Sequence, residues 1–286
     1  MALNLPEKRR HIEASPDCRQ TKDFLFTPYA QDREGQSGSL LLASGKANPA
    51  ERYVIKHTYA CDPANEFVYY KLAAAIGALM PEIKLFDCLN DMKKTRFAVR
   101  HICGSRVIDC QVTKTFSEKL DKALNPQNHF YHCALSTLLD QDDKVQFLLG
   151  RDNRLYGYDA AQSFNMEDQT MTAAIGGVLN NPLWGFLFAP TFDRAASVYW
   201  SSILTSTSWI EDFRKEHGDG CVPHLLYPFR AFQEISQSYI EDFLKTLNCF
   251  YPDNVVDYYR RFIANAQQTA KRTQALYEAE YAELLK

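Results

Sequence analysis

Between Gly35 and Gly104 the hydrophobic period of the chain switches from that of a strand to that of a helix and back, which narrows the folds open to it. A Gly/Ser turn, Gly35-Gln36-Ser37-Gly38-Ser39, leads into a short strand pattern from Ser39 to Ala43. A second turn separates it from Arg52 to His57, a β-branched and aromatic run. Two such runs separated by a short turn predict an antiparallel hairpin. Asp62-Pro63 then supplies a helix start, an acidic cap followed by a residue whose missing N–H costs nothing in a first turn. The helix formers that follow set Phe67, Tyr70, Ala74 and Ala78 on one stripe, and Pro81 closes the run. Two more strands are predicted, Ile83 to Cys88 and Arg96 to His101, around the polar turn Asn90-Asp91-Met92-Lys93-Lys94. The region reads β-β-α-β-β.

After Gly104 the pattern is mostly helical, apart from a strand–turn–strand between Val145 and Tyr158. From Trp200 the apolar positions Phe213, Phe229, Phe232, Ile235, Phe243 and Leu244 recur at helical spacing. The stretch from Val255 to Lys286 reads as one long amphipathic helix. The opening residues, 1–24, are polar and read as an arm. A β-rich lobe over 25–103 and a helical lobe over 104–286 follow, with a cleft expected between them.

At 286 residues and 46% hydrophobic positions, the chain is long enough for one large domain or two packed lobes. Its 13% aromatic content argues against disorder. Lys and Arg number 32 against 35 Asp and Glu, a net charge of −3, which offers no broad electrostatic footprint for nucleic acid or anionic membrane. The eight cysteines are scattered without a CxxC pair and read as reduced thiols. No signal-peptide core opens the sequence. The weakly polar stretch from Ala173 to Pro190 is broken by Gly176, Gly177, Asn180, Asn181 and Pro182, so no spanning helix is expected, and a cytoplasmic location is.

Chemistry is carried by an ordered set of residues. Gly38 and Ser39 lie in a turn whose backbone N–H groups can approach a phosphate closely. Lys56 ends a strand, where it is either a solvated edge lysine or a point charge for phosphates. Ten residues on, Glu66 is either a helix-start acid favoured by the dipole or the group that orients that lysine. Between Leu138 and Phe164 the hairpin presents Gln146 at the start of one strand and Asp159 at the end of the other. An amide oxygen and a carboxylate so placed suit magnesium.

In that order, GQSG (35–38), YVIK (53–56), NEFVYYKLAAAIGALMPEIKLF (65–86), FAVRHICG (97–104) and the 138–164 block resemble the catalytic core of the HipA-like kinases. These are relatives of the phosphoinositide kinases within the protein-kinase-like superfamily. The resemblance spans residues 35–164. It implies an α+β, two-lobed protein-kinase-like fold with a small β-rich N-lobe and a larger helical C-lobe. It further implies ATP and Mg as cofactors, with Lys56 on the nucleotide phosphates, Glu66 holding it, and Arg100, His101 and Ile102 as the hinge against adenine. Gln146 and Asp159 become the metal ligands, and the acceptor is a hydroxyl, expected on a protein.

The chain departs from the family at two places. Five residues before Gln146, where the family has its catalytic Asp, stands Gln141, which cannot accept a proton; Asp142 beside it is the substitute candidate. Ala160-Ala161 replaces a glycine-containing signature after Asp159. Two readings follow, a divergent phosphotransferase or a nucleotide-binding pseudokinase acting as a partner-binding module. Competing patterns are weaker. His217, Cys221 and His224, with His129 or His132, match no common zinc spacing. Cys133 beside His132 is a poor nucleophile pair, because adjacent helical residues diverge. The tyrosines Tyr258, Tyr259, Tyr277 and Tyr281 of the last helix form either core or a partner surface.

Overall fold

The computed structural model describes residues 5–29, 40–56, 62–87, 102–140, 146–161, 163–164 and 222–280. Helix α1 (Leu5–Ala14) and strand β1 (Cys18–Gln20) precede β2 (Phe24–Pro28), β3 (Leu40–Gly45) and β4 (Arg52–Lys56). Helix α2 (Asp62–Ala75), β5 (Ile83–Asp87) and β6 (Ile102–Arg106) follow. Beyond them come α3 (Phe116–Lys122), α4 (Asn128–Leu138), the pair β7 (Gln146–Leu149) and β8 (Leu155–Tyr158), and the helices α5 (Val222–Gln233), α6 (Gln237–Asn248) and α7 (Asp253–Glu280). The architecture is α+β, a mixed N-terminal sheet followed by a helical region.

The sheet runs β1-β5-β6-β4-β3-β2, antiparallel throughout except for the β1–β5 pair. Alternation gives it two different faces. On one, Phe24, Tyr53 and Phe86 meet edge-to-face at 5.2–5.9 Å, with Ala43 and Ile55 beside them. Gly104 lies under this cluster, where a Cβ would fall 2.6 Å from Phe86 and 2.8 Å from Ile55 and Tyr53. The other face, through Ile83, Leu85 and Cys103, joins the main core with α2, α4 and the last three helices.

Helix α2 buries Ala64, Phe67, Val68, Tyr69, Leu72 and Ala73, while Ala74, expected on its stripe, is exposed. The helix is gripped by the sheet on one side and by α4 and α6 on others, so its apolar surface is wider than one stripe. Residues 5–24, read as an arm, form structure. The β1 backbone pairs Cys18 with Leu85, and Phe24 lies in the aromatic cluster. The strand expected over 96–101 falls in residues that are not described. The last strand of the sheet in chain order is β6, which continues past Gly104 to Arg106. The segment that leaves the sheet is therefore 107–111, and Ile102 sits inside the sheet with Phe86 as its partner. Among the described residues no helix is long and apolar enough to cross a membrane.

Candidate functional site

The short hairpin β7–β8 sets the geometry. Phe147, Leu149 and Leu155 pack inward on Leu120 and Ala123 of and beside α3, which leaves the alternate positions facing out. Gln146 and Tyr158 are cross-strand partners at the open end. The Tyr158 hydroxyl donates to Gln146 Oε1 at 2.7 Å, and Gln146 Nε2 donates to Asp159 Oδ2 at 3.3 Å. Asp159 has φ +67°, a left-handed conformation that a short polar side chain tolerates, so the chain turns sharply as it leaves β8. The hairpin thus brings together the two groups expected to hold a metal. An amide and a carboxylate are hard oxygen donors, and their chemistry suits a magnesium ion.

The other expected residues are placed less completely. Glu66 is buried in α2, 3% exposed. Lys56 closes β4, and its Cα partner is Leu40, the residue that follows Ser39 in the chain. The Lys56 side chain lies outside the described residues, as do Gly38, Ser39, Arg100, His101, Gln141 and Asp142.

The departing segment 107–111 docks on the hairpin. Gln111 N–H donates to Leu149 O at 2.8 Å and Arg151 N–H to Asp109 O at 2.9 Å, making an antiparallel bridge between Cys110 and Gly150. In a bridge of this type the N–H and C=O of the central residue point away from the partner strand. The backbone of Cys110 is therefore directed off the hairpin.

Behind the hairpin, one carbonyl ties three elements together. Leu79 O, in the turn between α2 and β5, accepts from Gly157 N–H at 3.0 Å, from Asn128 Nδ2 at 2.8 Å and from the His132 Nε2 position at 3.0 Å. Leu79 N–H returns a bond to Asn128 Oδ1 at 2.7 Å. The other ring nitrogen of His132 meets the Tyr69 hydroxyl of α2 at 3.1 Å. With Leu79 O as acceptor, Nε2 carries the proton and Nδ1 accepts from Tyr69. Burial holds the His132 imidazole down at about 4 and that of His129 likewise, while it pushes the Cys133 thiol up to about 12. The sulfur of Cys133 lies 3.6 Å from His129 Nε2, one helical turn away, and His132 points elsewhere. A thiol so protonated is no nucleophile. Among the described residues no three His, Cys, Asp or Glu side chains gather to hold a metal; His217 and Cys221 lie outside them.

No family model and no curated protein matches this sequence. A solved structure does. The crystal structure of the Helicobacter pylori proinflammatory kinase CtkA superposes with a TM-score of 0.54, over 90% of this chain and 98% of that one, at 11% identity. The fold is kinase-like.

At that identity the likeness carries architecture alone; in this chain Lys56 ends a strand, Glu66 lies in the helix after it, and Asp159 follows the β7–β8 hairpin. Several residues that bind this arrangement together carry little readable sequence signal. Asn65, next to Glu66, is fully buried; its Nδ2 donates to Ala161 O at 2.7 Å, and its Oδ1 accepts from the Tyr259 hydroxyl at 2.6 Å. Tyr258, one residue earlier on α7, donates to Phe164 O at 2.7 Å. The Asn-Glu pair was the available hint for Asn65; nothing in the spacing of the tyrosines pointed to either partner.

Proposed function

We propose that this protein is a divergent ATP-dependent phosphotransferase that moves the γ-phosphate of ATP onto a hydroxyl, on a protein. The observation that carries the reading is the approach of Gln146 to Asp159 at the end of β8 in a kinase fold. In this reading Lys56 meets the nucleotide phosphates, Glu66 orients it, and the backbone at Gly38 and Ser39 covers them. The adenine edge lies along 107–111, with Cys110 supplying backbone groups, in place of Arg100, His101 and Ile102. Magnesium, when bound, neutralises charge on the transferring phosphate. Gln146, through its amide oxygen, and Asp159, through its carboxylate, would hold it, with Tyr158 beside the amide. Asp142 takes the proton of the acceptor hydroxyl as the new P–O bond forms and ADP departs.

The test is transfer of label from γ-labelled ATP with magnesium. Wild type is expected to transfer label, to itself or to an added protein, and Asp159→Ala to lose it by about 10² or more. Equal labelling in both, or none in either, would remove the kinase reading. Gln141, standing where an acid is needed, favours a second reading, a nucleotide-binding pseudokinase that serves as a partner-binding module. That reading requires nucleotide-dependent stabilisation with no turnover, and steady ATP consumption abolished by Lys56→Ala rules it out.

A further inference from the structure

The paired tyrosines of α7 do more than fill the core. The stretch that begins at the proposed metal ligand is bracketed by two non-glycine residues in the left-handed region, Asp159 and Phe164, both at φ +67°. Such conformations persist where the surroundings over-determine them. Here the surroundings are specific. The Ala161 carbonyl is held by Asn65 Nδ2 at 2.7 Å, and Asn65 is itself held by the Tyr259 hydroxyl at 2.6 Å. Phe164 O is held by the Tyr258 hydroxyl at 2.7 Å, and Phe164 N–H donates to Leu139 O at 2.5 Å. The Phe164 ring packs edge-on against Tyr259 and Phe262 at 5.2 and 5.3 Å. Asn65 and Tyr259 are both fully buried, so neither bond competes with water.

We propose that Asn65 and Tyr259 are positioning residues, a buried relay by which α7 fixes the backbone that aims the Asp159 carboxylate. The inference rests on the phosphotransferase reading, in which Asp159 holds magnesium. Asp159 is clamped on its N-terminal side by the β7–β8 ladder and on its C-terminal side by the Ala161–Asn65 bond. Loss of the second clamp leaves the hairpin standing and the carboxylate misdirected. The relay therefore acts on metal-assisted nucleotide binding and leaves binding of metal-free nucleotide alone.

The variant Tyr259→Phe keeps the ring contacts and removes the hydroxyl. Tyr131→Phe, which removes a hydroxyl bonded to His224 at 2.8 Å, is the matched control. Hydrogen–deuterium exchange of peptides covering 159–164 is expected to speed up about tenfold in Tyr259→Phe and to stay at the wild-type rate in Tyr131→Phe. The ratio of ATP affinities with and without magnesium, read by calorimetry, is expected to fall at least about fivefold in Tyr259→Phe, with affinity for metal-free ATP unchanged. Unchanged exchange over 159–164 overturns the relay. Faster exchange with an unchanged magnesium ratio overturns the positioning role. A wild type whose ATP affinity ignores magnesium overturns the site reading on which the inference rests, and exchange then reports separately on the relay. Should Tyr259→Phe fail to fold, Tyr258→Phe removes the hydroxyl that holds Phe164 O, and faster exchange must then appear at residues 163–164.

Discussion

Position 132 accepts only a neutral imidazole in its proper place: one nitrogen is committed to the Leu79 carbonyl, the other to the Tyr69 hydroxyl, and the residue is fully buried. The folded state holds this ring at about 4, against 6.5 for an ordinary histidine. Below 6.5 the unfolded chain binds a proton that the folded one refuses, so the stability this group contributes is complete above 6.5 and is lost as the pH falls toward 4. The loss is of the order of 3 kcal/mol at its largest. Denaturant midpoints measured from pH 7 to 4.5 should fall, and His132→Gln should flatten that slope by about one proton; an equal slope in the variant would show that other groups govern it. Gly157 is tied to the same site, since a Cβ there would strike the His132 ring. Neither dependence was legible in the sequence. His132 and Gly157 are 25 positions apart and meet only because the hairpin folds back onto α4, whereas Gln146 and Asp159 were legible because a two-strand hairpin forces its open ends together.

Strand β1 belongs to the sheet, and Asp17, just before it, ties it to α2. Asp17 is 9% exposed and accepts from Lys71 Nζ of α2 at 2.8 Å, with buried Lys84 of β5 at 3.9 Å. His11 reaches Thr246 of α6 at 3.1 Å, and Ile12, Cys18 and Cys249 form a small apolar cluster. Removing the Asp17 carboxylate takes the 2.8 Å ion pair from the half-buried Lys71, while Lys84 keeps Glu82 at 2.6 Å. Asp17→Ala should therefore cost about 2–3 kcal/mol in chemical denaturation, whereas Lys122→Ala, which breaks an exposed i,i+4 pair with Glu118, should cost under about 0.5. Comparable losses in the two would mean that the first pair is no more than surface charge. Composition made residues 1–24 read as an arm because the segment is polar. The order of residues 5–24 comes from tertiary pairing with a strand more than sixty positions away, which local pattern does not report. The helix start at Asp62-Pro63 was legible, since capping is a local property.

At the scale of the whole molecule, the site reading joins the sheet to the helical body through one ligand. Magnesium–ATP at 100 times its dissociation constant should add about 2.7 kcal/mol to the folded state, a rise of about 5–10 °C in Tm for a chain of this size. The rise should appear in a single transition, and in Asp159→Ala it should shrink to the value seen with ATP and EDTA. No rise in wild type would leave the kinase fold without its nucleotide. The order of elements was legible because strand and helix periods alternate so sharply; the exit from the sheet was misplaced because Gly104 resembles a terminator and is instead a concession to Phe86 packing over β6. The parallel seat of β1 has one more implication. Cys18 waits for Leu85, which leaves the ribosome much later, so the hairpins of β2, β3 and β4 can assemble first while the N-terminal piece stays undocked. A nascent chain stalled before Leu85 should therefore remain open to protease at residues 5–20, and closure of that sheet edge marks the late stage of synthesis.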